Sequence, residues 1–392
     1  MDHYLKQLEG LLAEPPEAVV ERERTAFDKL LRACNNRLVL FGAGNFGRRA
    51  LKSLRGSSIE PLAFSDNGDS KWGTKAEGVP IIAPQDAARR YGDSALFVVT
   101  IWSLGHSYLD TRIQLETLGC RNVVPSSTLR WKYSEQLLPD FSKDLPHKVY
   151  DRKDEVRAAA NLWADDYSRR EYLNQIRWRA LGDLAALGPP DREESYFLVT
   201  LYDIQPGEIF VDCGAYDGDT AKQVVARSRE FAQIVAVEAD PATFQRLNQW
   251  IGRTEDDVAP RIAPYNVAVG ATQEKLRFKA TGTEGACLAR DGDTVVDCVP
   301  IDDLMGENAP TFIKMDIEGA EMKALEGARH VIQKHHPILS ICVYHRQSDV
   351  WDIPLFIRSL WENYQFFLRP HDVDGWQLVC YAIPPHRLRS PV

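Results

Sequence analysis

Two stretches of this 392-residue chain concentrate carboxylates and glycines where chemistry could be done. They are Phe210-Val-Asp-Cys-Gly-Ala-Tyr-Asp-Gly-Asp-Thr220 and Phe312-Ile-Lys-Met-Asp-Ile-Glu-Gly-Ala-Glu321. Each reads as a buried strand running into an acidic turn, and open α/β sheets bind ligands outside the carboxyl ends of their strands. A second apolar run, Ile234 to Val237, ends in Glu238, about 20 residues past the glycines, where a carboxylate can take both ribose hydroxyls. The first turn contains neither GxGxxG nor GxxxxGK[ST], so dinucleotide pyrophosphate and triphosphate are poor ligands for it. Asp212, Asp217 and Asp219 would repel phosphate and suit a cationic cofactor; S-adenosylmethionine, with its sulfonium and α-ammonium, is one.

The residues then divide by role. Asp212 and Asp217 are expected near the amino-acid end of the cofactor, Gly214 lets the backbone approach it, and Glu238 holds the ribose. Asp316 closes one apolar strand and His345 closes the next, Ile338 to Tyr344, so the two can converge on a methyl acceptor. Methyl transfer from a sulfonium needs the acceptor held in line and a base for its proton. His345 is expected as the base near neutral pH, with Asp316 orienting the acceptor. Tyr344 and Trp351 are expected to line the acceptor pocket. A carboxylate pair with a histidine could also hold Mg²⁺, but the spacing does not demand a metal and none is assigned. Glu318 and Glu321 read as first-turn carboxylates at a helix N-terminus, and Asp240 as an N-cap before Pro241.

The elements around these residues complete a pattern. Asp212 to Thr220, Val237-Glu-Ala-Asp-Pro241, Ile301-Asp-Asp-Leu304, Ile313 to Glu321 and Tyr344-His-Arg-Gln-Ser-Asp-Val-Trp-Asp-Ile-Pro354 follow one another in order. Together they resemble the FkbM family of S-adenosylmethionine-dependent methyltransferases, over roughly residues 150–385. The resemblance implies a class I methyltransferase sheet of seven strands with a late hairpin. It also implies O-methylation of a sugar or other polyhydroxylated metabolite, with N-methylation of an aminosugar or aminocyclitol as the alternative.

A second α/β module precedes it. Arg37 to Phe41 is a strand leading into Gly42-Ala-Gly-Asn-Phe-Gly47, a complete GxGxxG, and the strand Pro61 to Phe64 is followed by Asp66. Gly42, Gly44 and Asp66 have the physical parts of a nucleotide fingerprint. This stretch is similar to the small Rossmann domains that bind nucleotide-sugars ahead of sugar-modifying acyltransferases, and it reads as a substrate-binding or a purely structural module. An NAD-dependent oxidoreductase is the competing reading, but no second catalytic half accompanies the module. A methyltransferase fold kept as an inactive binding protein is the other competitor. The expected organisation is α/β throughout: N-terminal helices over 1–36, a small Rossmann-like domain over 37–129, a helical connector over 130–200 and the methyltransferase domain over 201–392.

Composition bounds the partners. Asp+Glu number 56 against 47 Lys+Arg, a net charge of -9, so no general basic surface for nucleic acid exists. The expected partner is a small-molecule or glycan acceptor, nucleotide-linked in one version, with homo-oligomerisation open. Seven cysteines in irregular spacing, none in a CxxC pair, suggest a reduced cytoplasmic chain. No apolar run reaches membrane-spanning length, and the N-terminus has no signal-peptide pattern.

Overall fold

The computed structural model describes residues 3–283, 287–288 and 292–389. It divides into two compact units: Met1–Arg157, Arg170–Pro190 and Asp372–Trp376 form one, and Ala158–Arg169, Asp191–His371 and Gln377–Val392 the other.

The first unit is built on β1 (Leu38–Phe41), β2 (Ala63–Ser65), β3 (Lys75–Ala76), β4 (Val79–Ile82), β5 (Leu96–Val99) and β6 (Asn122–Pro125). They lie in the order β3-β4-β2-β1-β5-β6, parallel except for the β3–β4 pair. Both faces are covered, which is why β1 reads as an unbroken apolar run. Leu38 and Leu40 enter one core cluster while Val39 and Phe41 enter the other, as the two-residue period of a strand requires. The N-terminal helices, His3–Leu12 and Pro16–Ala33, belong to this unit, and Phe27 and Leu31 pack in the cluster of Leu38.

The second unit carries β7 (Ile209–Cys213), β8 (Gln233–Val237), β9 (Ile262–Tyr265), β10 (Ala268–Val269), β11 (Glu274–Lys279), β12 (Cys287–Leu288), β13 (Thr294–Val299), β14 (Phe312–Met315), β15 (Ile338–Cys342), β16 (Gln365–Pro370) and β17 (Leu378–Ile383). Its main sheet has seven strands in the order β16-β17-β15-β14-β7-β8-β9, with β17 antiparallel to both its neighbours. A four-stranded sheet, β10-β13-β11-β12, is separate and packs Phe278 and Val296 in its own small core. The order of the main sheet reverses between β7 and β14, and this switch point is where a doubly wound sheet leaves a crevice at its carboxyl edge.

The division differs from four consecutive segments. Within residues 130–200, Ala158–Arg169 joins the second unit because Ser168 accepts the Leu368 amide at 2.9 Å and Asp165 pairs with Arg369. Asp372–Trp376 joins the first, where Asp374 accepts the Tyr108 amide at 2.8 Å and Trp376 lies 4.6 Å from Trp102, centroid to centroid. Sequence periodicity cannot register such long-range anchors. Among the described residues Cys34, Cys120, Cys213, Cys298, Cys342 and Cys380 are buried free thiols. Among the described residues no helix is long and apolar enough to cross a membrane.

Candidate active site

The site lies at the carboxyl ends of β7, β8, β14 and β15. Gly214 follows β7 with φ +80°, and a Cβ there would stand 1.9 Å from the Asp316 carbonyl oxygen. Only glycine lets the turn after β7 press against the end of β14. The amides of Gly214 and Ala215 both donate to the Val237 carbonyl at 3.0 Å, which ties that turn to β8. Gly218, at φ +89°, precedes the helix Asp219–Arg227.

Glu238 is nearly buried at the end of β8. Its Oε1 accepts the Asp240 amide at 2.8 Å and its Oε2 accepts the Tyr216 amide at 2.9 Å. Each oxygen keeps a lone pair for a further donor, so the carboxylate is held in place and still able to bind. Burial pushes its pKa up against the two backbone donors. Asp240 accepts from the Ala242 and Thr243 amides and is the N-cap of Pro241–Ile251. Asp217 is half-exposed and pairs with Lys222 at 3.0 Å.

Asp212 sits elsewhere than at a cofactor-facing position. Its side chain is 0% exposed and lies 3.0 Å from Lys314 Nζ. Lys314 and Asp212 are direct partners in the β14–β7 register, so both point to the same face of the sheet. Lys314 also donates to the Gly214 carbonyl at 2.7 Å. Burial raises the Asp212 pKa to about 6 despite Lys314. The Lys314 pKa is raised because Asp212, Asp316 and Asp219 outweigh its own burial. The pair therefore braces the turn from beneath, and the expectation that Asp212 touches the cofactor gives way to that supporting role.

Asp316 and His345 do come together. His345 Nε2 is 3.4 Å from Asp316 Oδ1 and 3.8 Å from Glu318 Oε2, while Nδ1 is 2.8 Å from Glu321 Oε1. Asp316 Oδ2 accepts the Tyr196 hydroxyl at 2.7 Å, and Oδ1 accepts the Tyr344 hydroxyl at 3.3 Å. Burial would raise the Asp316 pKa, but His345, Lys314 and the Tyr196 hydroxyl hold it below the ordinary value. Burial alone would lower the His345 pKa; Glu321, Asp316 and Glu318 overcome it and push it up to about 10. With its pKa raised that far, the imidazole keeps its proton near neutral pH, which runs against its expected part as a free base. Asp349, buried and repelled by Glu321, rises to about 7.

Several participants were not assigned to the site from the sequence. Tyr196 lies 120 residues before Asp316 and reaches it through a backbone turn at φ +71°. Lys314 hides in an apolar strand. Glu321 does serve its local turn, accepting the Ile317 amide at 3.0 Å, but it also holds His345. Trp351, expected to line a pocket, is a core side chain 1% exposed, whereas Tyr344 belongs to the Asp316 cluster.

In the first unit the glycine turn is closed on itself. Asp66 accepts the Ala43 amide at 2.8 Å and the Gly68 amide at 2.8 Å, and pairs with Lys71 at 2.9 Å. Its carboxylate is committed to the fold and its pKa is lowered: the backbone donors and Lys71 outweigh burial. Gly42, at φ +112°, is packed against Ile101 and Thr100, while Gly44 is exposed with open space around its Cα.

Comparison with known proteins bears out the fold. Residues 212–368 match the family model of the methyltransferase FkbM domain. The crystal structure of the methyltransferase FkbM from Methylobacillus flagellatus KT is similar over 97% of this chain and 98% of that one, at 25% identity and a TM-score of 0.76. A precorrin-6y C5,15-methyltransferase from Geobacter metallireducens GS-15 is similar over 46% of this chain and 82% of that one, at 12% identity and a TM-score of 0.29. A putative caffeoyl-CoA O-methyltransferase from Staphylococcus aureus is similar over 45% and 76%, at 11% identity and a TM-score of 0.31. Scores of that size decide nothing for this chain. No curated protein sequence matches it. The chain therefore carries a methyltransferase FkbM domain over residues 212–368 and shares its α/β fold with an FkbM methyltransferase.

Proposed function

We propose that the protein uses S-adenosylmethionine to methylate a hydroxyl of a sugar or another polyhydroxylated small molecule in the cytoplasm. The observation that carries this reading is the contact of the Gly214 turn with the Asp316 carbonyl, which sets a cofactor-type turn directly beside the Asp316–His345 cluster. The residues suit the cofactor: Glu238 is fixed by two amides with lone pairs to spare for ribose hydroxyls, and Gly214 leaves room for close approach. Asp217 can meet the α-ammonium by exchanging its partner Lys222. The bound cofactor supplies an electrophilic methyl on sulfur.

Asp316 then accepts the proton of the acceptor hydroxyl as that oxygen attacks, while Tyr196 and Tyr344 hold the carboxylate in place. His345 stays charged and steadies Asp316. An acceptor amine is the second reading, because the carboxylates around His345 would also attract an ammonium. Methyl transfer from labelled S-adenosylmethionine to a panel of polyols, nucleotide-sugars and aminosugars tests both. Label should appear in a hydroxyl product and be lost in Asp316→Asn; label in amines alone would favour the second reading. Failure to bind S-adenosylmethionine would end both.

A further inference from the structure

Three carboxylates surround one imidazole at the end of β15, and a single proton cannot satisfy them. Glu321 meets Nδ1 at 2.8 Å; Asp316 and Glu318 face Nε2 at 3.4 and 3.8 Å. Glu321 and His345 side chains are each 1% exposed, so water does little to screen their charges. Even a fully protonated imidazole leaves two negative charges in excess. Glu321 adds an independent sign: its second oxygen, Oε2, is buried without a hydrogen-bond donor among the described residues. A buried carboxylate oxygen in that state is costly unless a cation meets it.

We propose that Asp316, Glu321 and His345 form a binding site for one divalent metal ion. One donor atom from each lies within 4.8 Å of the others. Metal–ligand bonds of about 2.0–2.3 Å put donors up to about 4.6 Å apart, so small side-chain adjustments suffice to close the site. The donor set of one nitrogen and two carboxylates favours Mn²⁺ over Mg²⁺, which prefers oxygen and retained water. Asp316 and Glu318 are 24% and 21% exposed, which leaves an open side for entry and for exchangeable ligands. Glu318, on that open side, is placed to hold metal-bound water. On the reading given under Proposed function, the ion would take the place of the His345 proton as the positive charge beside Asp316, and its open positions would take two neighbouring hydroxyls of the acceptor and make one easier to deprotonate.

The test needs no methyl transfer. Full-length protein is stripped with chelator and titrated with MnCl₂, and free Mn²⁺ is read by electron paramagnetic resonance. One equivalent should bind, and Glu321→Gln and His345→Gln should each weaken binding by at least about 10–100-fold. Circular dichroism confirms that the variants fold. Calorimetry with S-adenosylhomocysteine in the same metal-free samples reads the cofactor site separately. Loss of cofactor binding with intact Mn²⁺ binding would sink the methyltransferase mechanism and leave the metal site standing. Absence of any bound Mn²⁺ in the wild type at millimolar concentration, or binding indifferent to both substitutions, would overturn the metal site.

Discussion

Replacing Glu238 by glutamine turns one carboxylate oxygen into an amide nitrogen and leaves side-chain volume nearly unchanged. In the wild type both oxygens accept backbone amides, from Asp240 at 2.8 Å and Tyr216 at 2.9 Å. A glutamine can serve one of these amides and must point its own N–H toward the other. That mismatch should cost about 1–3 kcal/mol of stability. The variant also loses one charge-assisted hydrogen bond to the ribose, worth about 1.5–3 kcal/mol, which corresponds to about 10–150-fold in affinity. Glu238→Ala loses both, so its affinity should fall by about 10²–10⁴-fold. Calorimetry with S-adenosylhomocysteine measures the affinity, and thermal unfolding measures the stability. A variant that folds, unfolds at the wild-type temperature and binds the cofactor as tightly would refute the assignment of Glu238, because neither its amide contacts nor its lone pairs would matter.

Lys314→Met leaves Asp212 buried without its cation, so stability should fall by about 3–5 kcal/mol; an unchanged denaturation midpoint would contradict the brace. Tyr196→Phe removes the 2.7 Å bond to Asp316 and should lower turnover about 10–100-fold, with cofactor affinity preserved, as steady-state kinetics and calorimetry can show. His345 has its folded-state pKa raised from 6.5 to about 10, so in metal-free protein its stabilising charge is fully present below pH 6.5 and is lost as the pH rises through 10. The melting temperature should therefore decline between pH 7 and 10, and His345→Gln should flatten that decline; equal slopes would count against the buried imidazolium. Gly214→Ala places a Cβ 1.9 Å from the Asp316 carbonyl at a φ of +80°, so both stability and cofactor binding should drop, and wild-type behaviour in thermal-shift assays would show that the turn has slack.

Local chemistry was legible in the chain itself. Apolar runs ending in Asp-Cys-Gly and Met-Asp-Ile-Glu-Gly announce buried strands with acidic turns, because alternation and glycine act over a few residues. The seven-stranded sheet and its late hairpin followed from such runs and from the resemblance they carry. Partnerships across the sheet were not legible, since they depend on register and distance. Lys314 looks out of place in an apolar strand until β14 pairs with β7 and brings Asp212 opposite it. Tyr196 becomes a partner of Asp316 only because the chain folds back over 120 residues, and Glu321 satisfies its own turn and His345 at once. Asp66 fits a nucleotide fingerprint by spacing, yet folding spends its oxygens on Ala43, Gly68 and Lys71. Residue types and short spacings determined which groups could act; tertiary structure decided which were free, because burial and long-range contact set the charge and availability of each.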